Sequence, residues 1–398
     1  MEENSDCHGP SRELPRILGR LRGERPGPTL VVMAGIHGNE PAGIVAAGQV
    51  LQWLGERRPQ LCGELTFLAG NLPALRRNVR FIDLDLNRQW TSDRIAEACK
   101  SEARAGDPVE LGQQRELLAT LRGIIGSARG PLYFIDHHTS SADGPPFLTI
   151  GDTLRNRRFA RSFPLPLILG LEEQVDGALL ELLNNHGLVT MGVEAGRHDA
   201  RESVAHHRAV MWLALVASGV LPEVQAPELA SQRALLSQAS RGVPPVVEVR
   251  HRHAIVEGQG FRMLPGHVSF RPIRKGDLLA HDQNGEIRAK QDGLILLPLY
   301  QQRGEEGFFI GREVRPFWLR VSALLRGLEI AGLMRFLPGV RLDPTNGEVL
   351  IVDTRVARLY PLEIFHLLGF RKLRRVGADL VVSRRRHDVE APPRISFC

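Results

Sequence analysis

The chain has 398 residues, enough for one large catalytic unit and smaller additions, and its 43% hydrophobic and 24% charged content, with 40 Gly and 26 Pro dispersed, excludes a disordered or fibrous protein. Cys7, Cys62, Cys99 and Cys398 fit no zinc-finger or CxxC spacing, which argues against a disulfide framework and suits a reducing cytoplasm. The net charge of +6 sits in the last segment, because Pro316 to Cys398 carries 14 Lys+Arg against 8 Asp+Glu and residues 1–315 are close to neutral.

The first residues mix acidic and basic side chains and lack the apolar run of a secretory signal. No later run approaches the roughly 18 to 20 apolar residues that span a bilayer, so a cytoplasmic protein with no membrane span is expected. From Thr29 to about Gly219 short apolar runs alternate with amphipathic stretches, the rhythm of an α/β domain. Thr29–Gly35, Leu65–Ala69, Pro131–Asp136 and Leu188–Glu194 read as buried strands. Ile44, Ala47, Leu51 and Leu54 fall at helical spacing, as do Val175, Leu179, Leu182 and His186, and Ser203–Ser218 reads as a third helix.

Gly219 to about Pro244 is polar and Pro-containing and reads as a connection. Short apolar runs between Val246 and Ile310, separated by turn signals such as Asn284-Gly285 and Asp292-Gly293, predict a small antiparallel β unit. Beyond Pro316 the pattern is a helix over about Leu319–Leu333, a hairpin, a second helix and a strand. The predicted boundaries are 1–220 for the large α/β domain, 221–315 for a β-rich second domain and 316–398 for a basic α+β extension. A chain ending near Val314 is expected to keep its chemistry unless the extension covers the β unit.

Chemistry-bearing residues collect at strand ends. Gly35-Ile-His37-Gly-Asn-Glu40-Pro follows the first strand, and three-residue spacing at a strand-to-helix turn lets the imidazole and carboxylate face one point. His137 and His138 end the Pro131 strand, and Glu194 ends another. Ligands of open α/β sheets gather at the carboxyl ends of strands, so these ends form one coherent site. Two His and one carboxylate, with a position left to water, is a ligand set of catalytic zinc enzymes. Adjacent side chains on extended backbone point to opposite sides, so one of His137 and His138 faces the metal. Asn78-Val-Arg80-Phe-Ile-Asp83-Leu-Asp85-Leu-Asn87-Arg88 supplies arginines and asparagines suited to grip an anionic substrate. His186, His198, His206 and His207 show no partner arrangement and are expected in surface or satisfied-core roles.

The HGNE, DLDLNR, DHHT and GVEAG segments together resemble the succinylglutamate desuccinylase and aspartoacylase family, a branch of the zinc carboxypeptidase fold. The resemblance runs from about Thr29 to Val314. It implies a mixed, largely parallel sheet with helices on both faces, followed by a small β-rich domain. It also implies one Zn2+ per chain, held by His37, Glu40 and His138. Glu194 would be the general base that activates water, Arg80 would stabilise the oxyanion, and Asn87 and Arg88 would bind the substrate carboxylate.

The implied activity is hydrolysis of an amide in a small carboxylate-bearing substrate, most simply deacylation of an N-acyl amino acid. Alternatives are a metallocarboxypeptidase and a non-catalytic binding protein working through the basic tail. Aspartoacylases carry an additional arginine shortly before the catalytic glutamate, where this chain offers Asn184 or Asn185. They also carry a tyrosine near Phe308-Phe309 of this chain, so the substrate is left open. The basic runs Arg371–Arg375 and Arg384–Arg386 lack an aromatic stacking pattern, which argues against nucleic-acid binding.

Overall fold

The computed structural model describes residues 14–100, 104, 106–256, 258–328, 336, 338–343, 346–353, 362–376, 379–392 and 395. The first strands are β1 (Ile17–Arg22), β2 (Arg25–Ala34), β3 (Cys62–Ala69), β4 (Leu132–Ser140), β5 (Phe147–Thr149), β6 (Leu167–Leu169) and β7 (Val189–Arg197). From Val246 onward follow β8 (Val246–Ala254), β9 (Arg262–Met263), β10 (Pro272–Ile273), β11 (Leu278–Asp282), β12 (Gly285–Arg288), β13 (Gly293–Leu296) and β14 (Glu306–Glu313).

Eleven of these strands form one sheet in the order β1-β3-β2-β4-β7-β5-β6-β8-β14-β13-β10. Its centre, β3-β2-β4-β7, is parallel, as are β5-β6 and β6-β8, while β1, the β5-β7 pair and the β14-β13-β10 end are antiparallel. The fold is therefore mixed α/β. Strand β8 continues the large sheet into the β-rich segment, and only β12-β11-β9 form a separate small sheet there.

The continuous apolar runs are explained by burial on both faces. In β2, Leu30 and Val32 enter one core and Val31 and Met33 the other. The first core is covered by α1 (Ala42–Arg57), together with α5 (Leu154–Ala160), α7 (Arg201–Ala217) and α8 (Leu229–Ala239). The second is covered by α3 (Ser92–Lys100), α4 (Val109–Ser127) and α6 (Leu179–Asn185), while α2 (Leu72–Arg77) follows β3 directly. Phe67 and Phe134 are fully buried in these layers, where truncation to alanine costs about 3 to 5 kcal/mol.

Local differences from the sequence reading have simple causes. Helix α6 begins at Leu179, and Val175 lies in the loop before it, lining a cavity. The stretch read as a connection contains α8, whose Leu229, Gln232 and Leu236 are buried at helical spacing despite the flanking prolines. Cys62 is a free thiol.

The C-terminal extension contains α9 (Pro316–Gly327), β15 (Val340–Asp343), β16 (Asn346–Asp353), α10 (Leu362–Leu367), β17 (Phe370–Val376) and β18 (Asp379–Arg384), with the sheet order β15-β16-β18-β17. The expected continuation of α9 to Leu333 and the side chains of Arg371–Arg375 lie outside the described residues. The extension has its own core of Leu350, Val352, Phe365, Phe370 and Val382. It also sets the fully buried Arg326 between Asp388 of the extension itself (2.8 Å) and Asp152 of the large α/β unit (3.3 Å). No helix among the described residues is long and apolar enough to cross a membrane.

Candidate metal centre and pocket

Strand β2 ends at Ala34, and the turn that follows is built for close approach. Gly35 has φ +71°, and a Cβ on Gly38 would lie 2.1 Å from the Ala74 carbonyl carbon. That tight path brings His37 and Glu40 into the sheet's carboxyl edge, 4% and 2% exposed. The parallel register places His137 beside Ala34 and His138 beside Glu194 on the neighbouring strands.

His37 Nδ1 lies 2.9 Å from Glu40 Oε1, and His138 Nδ1 lies 3.1 Å from Glu40 Oε2. One ligand atom from each of the three lies within 4.8 Å of the others. Both outer nitrogens face aspartates: His37 Nε2 is 3.2 Å from Asp85 Oδ1, and His138 Nε2 is 3.0 Å from Asp136 Oδ2. An acceptor on Nε2 fixes the proton there and leaves the Nδ1 lone pair for a metal, so the donor set suits zinc. Burial disfavours ionisation of Glu40, but the two imidazoles hold its carboxyl well below the usual range. Burial likewise works against charged His138, and the carboxylates of Asp136 and Glu40 outweigh it and raise its pKa.

His137 turns away. Its Nδ1 contacts His207 Nδ1 at 2.7 Å in the fully buried interior, and burial together with that neighbour pushes its pKa down. The structure thus gives partners to histidines for which the sequence showed none. His206 Nδ1 donates to the Ala195 carbonyl oxygen at 2.8 Å. His198 Nδ1 lies 2.7 Å from Thr139 Oγ1, and its Nε2 lies 3.2 Å from Gln301 at the cavity rim.

The Asn78–Arg88 segment is held from beneath by Glu110, which is fully buried. Its carboxylate accepts from the backbone N–H groups of Ile82 (2.7 Å), Asp83 and Leu84 (both 3.1 Å) and from Asn71 Nδ2 (3.0 Å). Asp85 caps the short 3-10 turn Leu86–Arg88 by accepting from Asn87 N at 2.9 Å, and Arg80 donates to it at 3.0 Å. Arg80 also stands 3.6 Å from Glu40. Asn87 Oδ1 is occupied by the Leu179 N–H at 3.0 Å. Arg88 pairs with Glu306 at 2.9 Å and Glu305 at 3.4 Å.

All seven residues singled out from the sequence, His37, Glu40, Arg80, Asn87, Arg88, His138 and Glu194, line one cleft enclosing about 950 Å³ including its open mouth. Glu194 reaches it from β7 with a buried Oε2 that has no hydrogen-bond partner. Burial pushes its pKa up to about 8, with His138 opposing and Glu40 adding to the rise. Asp85, Asp136 and Glu110 were not identified as site residues. Asp85 and Asp136 stand inside the DLDLNR and DHHT segments, whereas Glu110 carries no local signal.

The catalytic-domain model of the succinylglutamate desuccinylase/aspartoacylase family matches residues 26–115. The chain is 40% identical over 88 residues to succinylglutamate desuccinylase of Photorhabdus laumondii subsp. laumondii, covering 22% of this chain and 26% of that protein. It is 30% identical over 152 residues to N-acyl-aromatic-L-amino acid amidohydrolase (carboxylate-forming) of Xenopus laevis, covering 35% and 47%. These matches therefore span less than half of either relative's length. The crystal structure of a succinylglutamate desuccinylase/aspartoacylase from Rhodobacter sphaeroides shares the fold with a TM-score of 0.55 at 19% identity, over 75% of this chain and 88% of that one. Over residues 26–115 the chain is thus similar to the catalytic domain of the succinylglutamate desuccinylase/aspartoacylase family, and it shares the fold of the solved structure from Rhodobacter sphaeroides.

Proposed function

We propose that the protein is a zinc-dependent deacylase of N-acyl amino acids, with one metal held by His37, Glu40 and His138. The observation that carries this reading is the convergence of those donors beside an unpartnered buried carboxyl, Glu194, in a single cleft. The activities named for the relatives, desuccinylation and N-acyl amino acid hydrolysis, support the same class.

Bound zinc would polarise the scissile carbonyl and make water nucleophilic near neutral pH. Glu194 takes the proton from that water and returns it to the leaving amine. Its elevated pKa suits a group that must both accept and donate a proton. Arg80, tethered by Asp85, presents positive charge beside Glu40, where charge develops on the carbonyl oxygen. Arg88 and Asn87, which line the same cleft, orient the substrate carboxylate, Arg88 exchanging its Glu306 partner for it. Asp85 and Asp136 keep the imidazoles in the tautomer that offers Nδ1.

The test is amine release from N-acyl amino acids and from peptides with free C-termini by the zinc-loaded protein. Release from the N-acyl amino acids, abolished by chelation and restored by zinc, is expected. Cleavage confined to the peptides would favour a carboxypeptidase, and no release from either set would contradict both.

A further inference from the structure

The loop between β6 and α6 brings a second kind of acid to the cleft. Glu172 lines the cavity and is 5% exposed, and the apolar Leu171, Val175, Ala178 and Leu180 of the same loop and helix also line it. Its Oε2 accepts from Arg385 of the C-terminal extension at 3.4 Å, while its buried Oε1 has no hydrogen-bond partner. Arg385 is shared with Glu173 at 3.3 Å, so two carboxylates face one guanidinium. The two arginines among the described cavity-lining residues are already engaged, Arg80 by Asp85 and Arg88 by Glu306. A buried acceptor without a partner beside apolar residues is costly, and a donor or cation that reaches it relieves that cost, whereas a second carboxylate would have to be desolvated beside Glu172 and Glu173 with only the shared Arg385 to offset it.

We propose that Glu172 is a specificity-determining residue whose subsite takes a hydrogen-bond donor, an ammonium or amide on the substrate side chain, and excludes a second carboxylate. This rests on the deacylase reading above and narrows its substrate class. Burial works against ionisation of Glu172 and pushes its pKa up to about 8, with Arg385 opposing and Glu173 reinforcing, and an ammonium bound beside it would draw it back to the carboxylate. The C-terminal extension takes part by supplying Arg385, which holds the carboxyl in the wall.

The test is calorimetric binding of four ligands of matched length, the Nα-acetyl derivatives of ornithine, glutamine, norvaline and glutamate, to zinc-loaded full-length Glu194→Gln protein. The ornithine and glutamine derivatives are expected to bind about tenfold or more tightly than the glutamate derivative. Adding Glu172→Leu should erase their advantage over norvaline, while adding Glu172→Gln should keep the glutamine derivative and weaken the ornithine one. Should Glu172→Leu fail to fold, the Glu172→Gln comparison carries the test by itself. Tightest binding of the glutamate derivative, a ranking indifferent to the Glu172 variants, or no binding of any of the four overturns the subsite. The expected ranking without turnover by the wild-type protein would support the subsite and contradict the deacylase reading alone.

Discussion

Asp136 and His138 stand two residues apart on β4 and so share one face of the strand, with Asp136 Oδ2 3.0 Å from His138 Nε2. The contact leaves Nδ1 as the nitrogen turned to Glu40. Asp136→Ala is expected to leave the fold intact and weaken zinc binding about 10- to 100-fold, measured by chelator competition. Unchanged affinity would show that the imidazole is oriented by its backbone alone.

Glu194→Gln keeps the shape of the side chain and removes its basicity. The variant should retain zinc and lose about 10²- to 10⁴-fold in kcat. Near-normal turnover in a folded, metal-loaded variant would move the proton carrier elsewhere in the cleft.

Arg80 and Arg88 should fail in different ways, because an oxyanion contact matures in the transition state and a carboxylate clamp exists already in the ground state. Arg80→Ala should chiefly lower kcat, and Arg88→Ala should chiefly raise KM. The pairing of Arg88 with Glu306 sharpens the second expectation, since a substrate carboxylate must compete with an existing partner. Steady-state kinetics showing the reverse pattern would exchange the two roles.

The buried Arg326 ties the extension to the large α/β unit. Arg326→Ala leaves Asp388 buried beside Asp152 without its guanidinium, and removal of one partner from a buried ion network costs about 3 to 5 kcal/mol. Denaturant unfolding should register that loss, and a change below about 1 kcal/mol would place Arg326 among solvated pairs. The same contacts alter the expectation for a chain ending near Val314. It would uncover Asp152 and Glu172 and is expected to lose stability before it loses chemistry.

The metal-site motifs are legible in the sequence because each follows a run of two-sided apolar residues: HGNE after β2, DHHT on β4 and the Glu194 segment on β7. Strand ends on one sheet edge are neighbours once the sheet is parallel, so the apolar runs alone bring together residues far apart in the chain. Glu110 beneath the Arg80 loop and Arg385 behind Glu172 are not legible. Their roles are made by long-range packing, and a lone acid on a helix or one arginine in a basic run looks like a solvated surface. Strands β5 and β6 escape notice for a related reason, since three residues are too few to show a period. Helix α8 is hidden by the prolines that flank it.

The metal centre is the central claim, and metal content after exhaustive dialysis tests it most directly. Wild-type protein should hold about one zinc per chain, as should His137→Ala, whose imidazole faces His207, provided that variant folds. Folded His37→Ala and His138→Ala should lose most of theirs. Zinc retained at the wild-type level in both of these variants would contradict the account.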